Sequence, residues 1–225
     1  YVDSTPHLRL MSWVGDNVLD LSPHIYADAD FAGCWEPQRS TSGCHNAVEG
    51  PYTNFVTYGR SNKQGCLSTS TPEAETVASY SAIKDVVIPG LDIWEVLLPG
   101  GFIYFFHEDK QAMIRVCETG RNPSMRTLPR NHRVSIGFLN AMISDPATRH
   151  NILIFYEESL RMSADVYTKA FSDKVKWGHA RTMINIIDPT KLMETIQFRH
   201  DLFLLSKDSS DTAQKQLDNR AQFVS

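Results

Sequence analysis

The chain has 225 residues, a formal net charge of −4 and 42% hydrophobic residues. That is enough apolar material for one sizeable core, and the acidic balance excludes a globally basic nucleic-acid binder while leaving room for a local basic patch. No apolar run reaches the roughly 18 residues needed to cross a membrane, no signal peptide is legible, and Tyr1 in place of an initiator Met reads as a piece of something longer.

Residues 1–20 have weak periodicity and read as a lead-in. A short strand is expected at His24–Ala27, followed by the aspartate pair of YADAD and a polar loop with Pro37 and Gly43 as punctuation. The alternating stretches Cys44–Val48 and Tyr52–Tyr58 flank a turn-like EGP and predict a β-hairpin. A further short strand is expected at Cys66–Thr69. STPEAETVASYSAIKDVV then opens a helix with a Ser/Thr cap signal and Pro72 in the first turn. Ala74, Ala78 and Ala82 recur at i, i+4 and let that helix approach a sheet. Pro89-Gly90 is expected to interrupt it before IWEVLL resumes.

GFIYFFHED is a near-continuous apolar run, the pattern of a strand covered on both faces. Helices are expected at Lys110–Glu118, stopped by Gly120, and at His132–Ile143. HNILIFYEE predicts a second buried strand and SLRMSADVYTKAF a last helix. Residues 190–225 read as a polar tail, partly disordered. The order is an α/β layer: a mixed sheet of three antiparallel strands and then parallel strands, with helices packed on it. The domain proper is expected to span residues 21–189. The cysteines (Cys34, Cys44, Cys66, Cys117) are widely spaced, without a CxxC pair, and read as free thiols in a reducing compartment.

Acids stand at the ends of these elements. Asp28 closes the first strand, Glu75 lies early in the first long helix, Asp109 closes the apolar strand and Asp165 lies early in the last helix. Four carboxylates cannot crowd together ionised without a counter-charge. A hard divalent cation supplies it, with Mg²⁺ preferred for oxygen ligands. Two such ions roughly 3.5–4 Å apart clamp the attacking and leaving oxygens of a phosphodiester. Taken alone, the Asp28/Asp30 pair reads equally well as a turn. Glu73 stands three residues after Ser70 and reads as half of a capping box, a structural role. His107 and Glu108 read as solvated strand-end residues, and Asp173 and Asp188 as ordinary loop acids.

YADADFAGC…RSTSG, NKQ, STPEAE, HED and SADVYTKAF occur in that order over residues 20–190. Together they resemble the ribonuclease H region of copia-type retrotransposon polyproteins, with its DADWAG, RSTSG, KKQ, STEAEY, CDN-like and ADILTK motifs. The resemblance implies a ribonuclease H-like fold. It implies hydrolysis of the RNA strand of an RNA–DNA hybrid, with Asp28, Glu75, Asp109 and Asp165 as catalytic metal ligands for two Mg²⁺ ions and Mn²⁺ able to substitute. It implies an upstream reverse transcriptase as neighbour, so that residues 1–20 lead in from a polymerase or connection region. The implied location is intracellular, in a cytoplasmic virus-like particle or the nucleus, with no membrane partner. Arg39 and Lys63 lie in the motif loops and are candidates to face the hybrid backbone. The basic run Arg121, Arg126, Arg130, Arg133 and the nearby His132 are further candidates for substrate contact. The chain departs from the family pattern at Thr76, at Lys110, in NHRVSIGF and at Pro89-Gly90. The alternative is a non-catalytic module of the same fold that binds nucleic acid or supports a polymerase.

Overall fold

The computed structural model describes residues 5–33, 38–98, 101–122, 125, 128–143 and 152–205. Seven strands are described: β1 (Arg9–Leu10), β2 (Ser22–Asp30), β3 (Thr41–Gly50), β4 (Thr53–Lys63), β5 (Tyr104–Glu108), β6 (Ile152–Tyr156) and β7 (Ile186–Ile187). The main sheet has the order β4-β3-β2-β5-β6. β2, β3 and β4 run antiparallel, whereas β5 is parallel to both β2 and β6. The fold is therefore the expected mixed α/β layer. The apolar runs of β5 and β6 form its parallel half, as strands shielded on both faces should.

Alternation along β2 sends Ile25 and Ala27 into the main core and Tyr26 into a second cluster with Met162 and Ala164. Helix α1 (Thr71–Ala82) covers the first face. Ala74 and Ala78 pack on Ala29, so the small-residue stripe does bring helix and sheet together. The Ser70 hydroxyl accepts from the N–H of Glu73 at 3.3 Å, the N-cap bond expected of that motif.

Pro89-Gly90 does not interrupt the helix. The run passes from α1 through a π-helical segment, Ile83–Val87, directly into α2 (Ile88–Leu97), with Pro89 in the first turn of α2. The wider turn lies just where an α-helix would need the N–H that proline lacks. Residues 66–69 form no strand: β4 alone runs to Lys63, and the chain then turns to cap α1. The expected helix at His132–Ile143 divides into α4 (Leu128–Asn131) and α5 (Ile136–Ile143). Between them Arg133 adopts a left-handed φ of 56°, which no helix interior accepts. α3 (Gln111–Thr119) ends at Gly120 as expected, with φ of 64°. SLRMSADVYTKAF is not one helix but two short 3₁₀ turns, Ser159–Arg161 and Ser163–Tyr167, before α6 (Lys174–Met183).

At the chain ends, β1 pairs antiparallel with β7. Residues 192–205 form a further helix, α7. Its Arg199 lies 3.3 Å from the buried carboxylate of Glu49, and His200 stacks on Tyr52 with centroids 4.2 Å apart. Among the described residues, Cys44 and Cys66 are free thiols; Cys34 lies outside them.

Candidate metal centre

Register builds the site. β2 and β5 are adjacent and parallel, with Tyr26 opposite His107, so Asp28 and Asp109 lie side by side at their carboxyl ends. That is the end of a parallel sheet where open α/β folds place their sites. On the other side of β2, Asp28 is paired with Gly43 of β3. A Cβ at Gly43 would lie 2.6 Å from Thr168 Cγ2 and 2.9 Å from the Ala164 carbonyl. The missing side chain therefore lets the 163–168 turn lie flat on the sheet, and this turn carries Asp165 to Asp28. Gly59 on β4 makes similar room for the ring of Tyr167.

One carboxylate oxygen from each of Asp28, Asp109 and Asp165 lies within 4.8 Å of the other two. Asp28 and Asp109 are buried and Asp165 is half-buried. Thr168 donates a hydrogen bond to Asp28 Oδ2, and Ser159 donates to Asp109 Oδ2 at 3.1 Å. Two lysines enter the cluster. Lys110 Nζ is 2.7 Å from Asp109, and Lys169 Nζ is 2.5 Å from Asp165 and 3.6 Å from Asp28. Asp28 Oδ1, Asp109 Oδ1 and both oxygens of Glu75 are buried without a hydrogen-bond donor.

Glu75 stands beside the three-aspartate set and outside its 4.8 Å limit. Burial pushes its carboxyl far above the usual range, and repulsion from Glu108 and then Asp28 adds to this. Glu108 is also held high, first by burial, although the Lys110 N–H and the Ser79 hydroxyl donate to it. Burial raises Asp165 to about 6, with Lys169 opposing and Asp28 reinforcing. The protein alone thus leaves the negative charge of this cluster under-compensated. Donor-less buried oxygens, all of them hard, fit a divalent cation held by Asp28, Asp109 and Asp165.

Glu108 and His107 were expected in solvent, and the structure corrects this: both are buried. The HED acids fall on a strand end covered by α1 and by the turn after β6, and an apolar run ending in acids gives no sign of that cover. His107 Nδ1 bonds Glu157 at 2.9 Å and its Nε2 meets His24 at 2.8 Å. Asp30 accepts from the N–H of Thr41 at 2.6 Å and so pins the start of β3. Glu73 accepts from the Thr69 N–H at 2.6 Å, one residue earlier than a strict capping box predicts.

Of the expected substrate contacts, Lys63 lines a hollow at the end of β4 and Arg39 lines an adjoining one. Arg130 is exposed on α4. Arg126 lies outside the described residues. His132 is turned inward, with Nε2 3.1 Å from the Leu67 carbonyl and 3.7 Å from Glu73. Ser159, Thr168 and Lys169 shape the centre without having been singled out, and Gly43, expected as loop punctuation, lies inside β3 instead. The RSTSG and SADVYTK motifs contain three of the four, but their roles depend on a contact between β3 and the 163–168 turn.

No family model matches the chain, and no curated protein matches it. Three solved structures resemble it at low identity. Ribonuclease H1 from the halophilic archaeon Halobacterium salinarum is 15% identical, with a TM-score of 0.39, over 65% of this chain and 94% of its own. A ribonuclease H1 isolated from compost by a metagenomic approach is 14% identical, with a TM-score of 0.41, over 65% and 92%. The N-terminal ribonuclease H domain of Rv2228c from Mycobacterium tuberculosis is 15% identical, with a TM-score of 0.39, over 72% and 98%.

Proposed function

We propose that the chain is a divalent-metal-dependent nuclease that hydrolyses the RNA strand of an RNA–DNA hybrid, within a copia-type retrotransposon polyprotein. The observation that carries this is the convergence of Asp28, Asp109 and Asp165 to within 4.8 Å, where Asp28 Oδ1 and Asp109 Oδ1 are buried without a hydrogen-bond donor. In this reading two Mg²⁺ ions, or Mn²⁺ in their place, supply the charge that activates water and stabilises the leaving 3′ oxygen. Asp28, Asp109 and Asp165 hold that charge, with Glu75 as the fourth carboxylate. Ser159 and Thr168 fix the faces their acids present. Arg39, Lys63, Arg126 and Arg130 meet the phosphates, and His132 steadies the loop before α1. Recognition rests on hybrid shape and the RNA 2′-hydroxyls rather than on sequence. The reverse transcriptase upstream in the same polyprotein supplies the hybrid, in a cytoplasmic virus-like particle or the nucleus.

A second reading is favoured by Lys110 and Lys169. Their ammonium groups already lie 2.7 and 2.5 Å from acids of the cluster. If they serve as its permanent counter-ions, the module is non-catalytic and supports a polymerase. Incubating the purified chain with labelled hybrid, double-stranded RNA and double-stranded DNA, with and without Mg²⁺, separates the two. Cleavage of hybrid RNA alone, and only with metal, supports the first. No cleavage under any divalent ion supports the second.

A further inference from the structure

One residue from every strand of the main sheet stands in a single transverse row: Gly59 of β4, His45 of β3, Tyr26 of β2, His107 of β5 and Phe155 of β6. Side chains paired across neighbouring strands share a face and touch. His107 lies 4.4 Å from Phe155 and 3.9 Å from Tyr26 between ring centroids, and Tyr26 lies 6.0 Å from His45. The row lacks a ring at Gly59, and the 163–168 turn supplies it. The ring of Tyr167 stacks on His45 with centroids 5.9 Å apart, and its hydroxyl meets His45 Nδ1 at 3.1 Å. A Cβ at Gly59 would stand 2.7 Å from Cζ of that ring and closer still to the hydroxyl. The glycine is what lets the ring seat.

This layer runs beneath the metal centre. Asp28 and Asp109 follow Tyr26 and His107 by two residues, and Asp165 precedes Tyr167 by two. Residues two apart on a strand share a face. Pairing of β2 with β5 sets Asp28 beside Asp109. Asp165 has no such support, because its segment is a 3₁₀ turn. Side chains hold that turn to the sheet. Met162 and Ala164 pack on Tyr26, the Ser61 hydroxyl donates to the Tyr167 carbonyl at 2.6 Å, and Thr168 donates to Asp28. Tyr167 lies between Asp165 on one side and Thr168 and Lys169 on the other, so a shift of its ring moves all three together. His45 is fully buried, and its Nε2 has no partner among the described residues, which leaves the Tyr167 hydroxyl to satisfy the ring. Burial also pushes His45 down to about 3, so it stays neutral and this tie does not switch with pH.

We propose that Tyr167 is a positioning residue of the metal centre: its ring, seated on His45 in the space left by Gly59, sets Asp165 at coordinating distance from Asp28 and Asp109. The proposal rests on the reading of these three aspartates as metal ligands. It adds a determinant of metal affinity that touches neither metal nor substrate and acts through Asp165.

Tyr167→Leu removes ring and hydroxyl, and Tyr167→Phe the hydroxyl alone. Gly59→Ala displaces the ring from the β4 side and carries the test if Tyr167→Leu does not fold. Tyr104→Phe is the control, since it deletes a buried hydroxyl bond to Asn46 in the main core. The readouts are calorimetric Mg²⁺ affinity of the full chain without nucleic acid, amide exchange in chelator, and the Mg²⁺ dependence of hybrid cleavage. Tyr167→Leu and Gly59→Ala should weaken Mg²⁺ binding about tenfold, as loss of a group that orients a metal ligand does. They should speed exchange over residues 163–169 while β2 and β5 stay protected, and raise the Mg²⁺ concentration for half-maximal cleavage by the same factor. Tyr167→Phe, which keeps the ring, should lie between them and the wild type. Tyr104→Phe should lower the melting temperature and leave Mg²⁺ affinity unchanged. Wild-type Mg²⁺ affinity in Tyr167→Leu and Gly59→Ala, an equal loss in Tyr104→Phe, or no Mg²⁺ binding by the wild type overturns the proposal. Mg²⁺ binding that depends on Tyr167 in a chain that cuts no hybrid leaves the positioning role standing and removes the nuclease reading instead.

Discussion

The ammonium of Lys169 lies 2.5 Å from Asp165 and 3.6 Å from Asp28, so one cation bridges acids that are 137 positions apart in the chain. It occupies the edge of the region where a divalent ion would be held. Lys169→Ala should therefore lower the melting temperature in metal-free buffer and enlarge the rise that Mg²⁺ produces. The Lys169 side chain is partly exposed, so the metal-free loss should be modest, about 1 kcal/mol or less. Thermal denaturation with and without Mg²⁺ measures both. An equal Mg²⁺ response in mutant and wild type would show that lysine and metal do not compete.

The centre also predicts an unusual stability profile. Asp165 is raised to about 6, and Glu75 and Glu108 are held higher still. Each binds a proton more tightly folded than unfolded, so each contributes less stability as pH rises through that window. Without metal, the fall should begin near the ordinary carboxylate range of about 4 and continue past 6. Urea midpoints at pH 5, 6, 7 and 8 should decline in chelator and flatten in Mg²⁺. Glu75→Gln should remove much of the decline and raise the metal-free melting temperature, while abolishing hybrid cleavage.

Glu73→Gln should behave differently. Its role is to accept from the Thr69 N–H, which an amide oxygen also does. Cleavage should survive nearly intact, whereas Glu73→Ala should cost about 1 kcal/mol, as for loss of a helix cap. Loss of activity in Glu73→Gln with retention in Glu75→Gln would reverse the two assignments.

Gly43→Ala tests how the 163–168 turn reaches the sheet. The added methyl meets the Ala164 carbonyl at 2.9 Å, so the turn must lift and carry Asp165 away from Asp28. Displacement of a catalytic group by about 1 Å can cost up to 100-fold in rate. Hybrid cleavage and calorimetric Mg²⁺ affinity should fall together, while Gly178→Ala, at an open position on α6, should change neither.

At the far end of β2, burial acts against the charge of Glu49, but His24 and Arg199 hold its carboxyl at about 2. Its contribution is present above the unfolded value of about 4.5 and is lost as pH falls through the folded one. Arg199→Ala leaves this buried carboxylate with the Tyr26 hydroxyl and the His24 ring but without its guanidinium, a loss of about 3 kcal/mol. It should also release α7, seen as faster amide exchange over residues 192–205.

Much of this architecture was legible from local pattern. The apolar runs around Phe106 and Ile154 signalled the parallel pair, and Ser70 with Pro72 marked the start of α1. The element ends pointed to four acids, of which Asp28, Asp109 and Asp165 meet within 4.8 Å while Glu75 stands outside that set. What local pattern hid was tertiary in origin. Pro89 is absorbed by a π-turn because the core holds Val87 and Leu91 on either side of it. The segment carrying Asp165 is 3₁₀ rather than α because it must lie flat over Gly43 and Gly59. Glu108 is buried because α1 covers the strand end, and Ser79 donates to it from above.

The most direct test of the metal centre is cleavage of a hybrid with 5′-labelled RNA by wild type and Asp109→Asn, in Mg²⁺ and in excess chelator. The account predicts RNA fragments with 3′-hydroxyl ends from the wild type in Mg²⁺, and none in chelator or from Asp109→Asn. Cleavage that persists in chelator, or at the wild-type rate in Asp109→Asn, would contradict it.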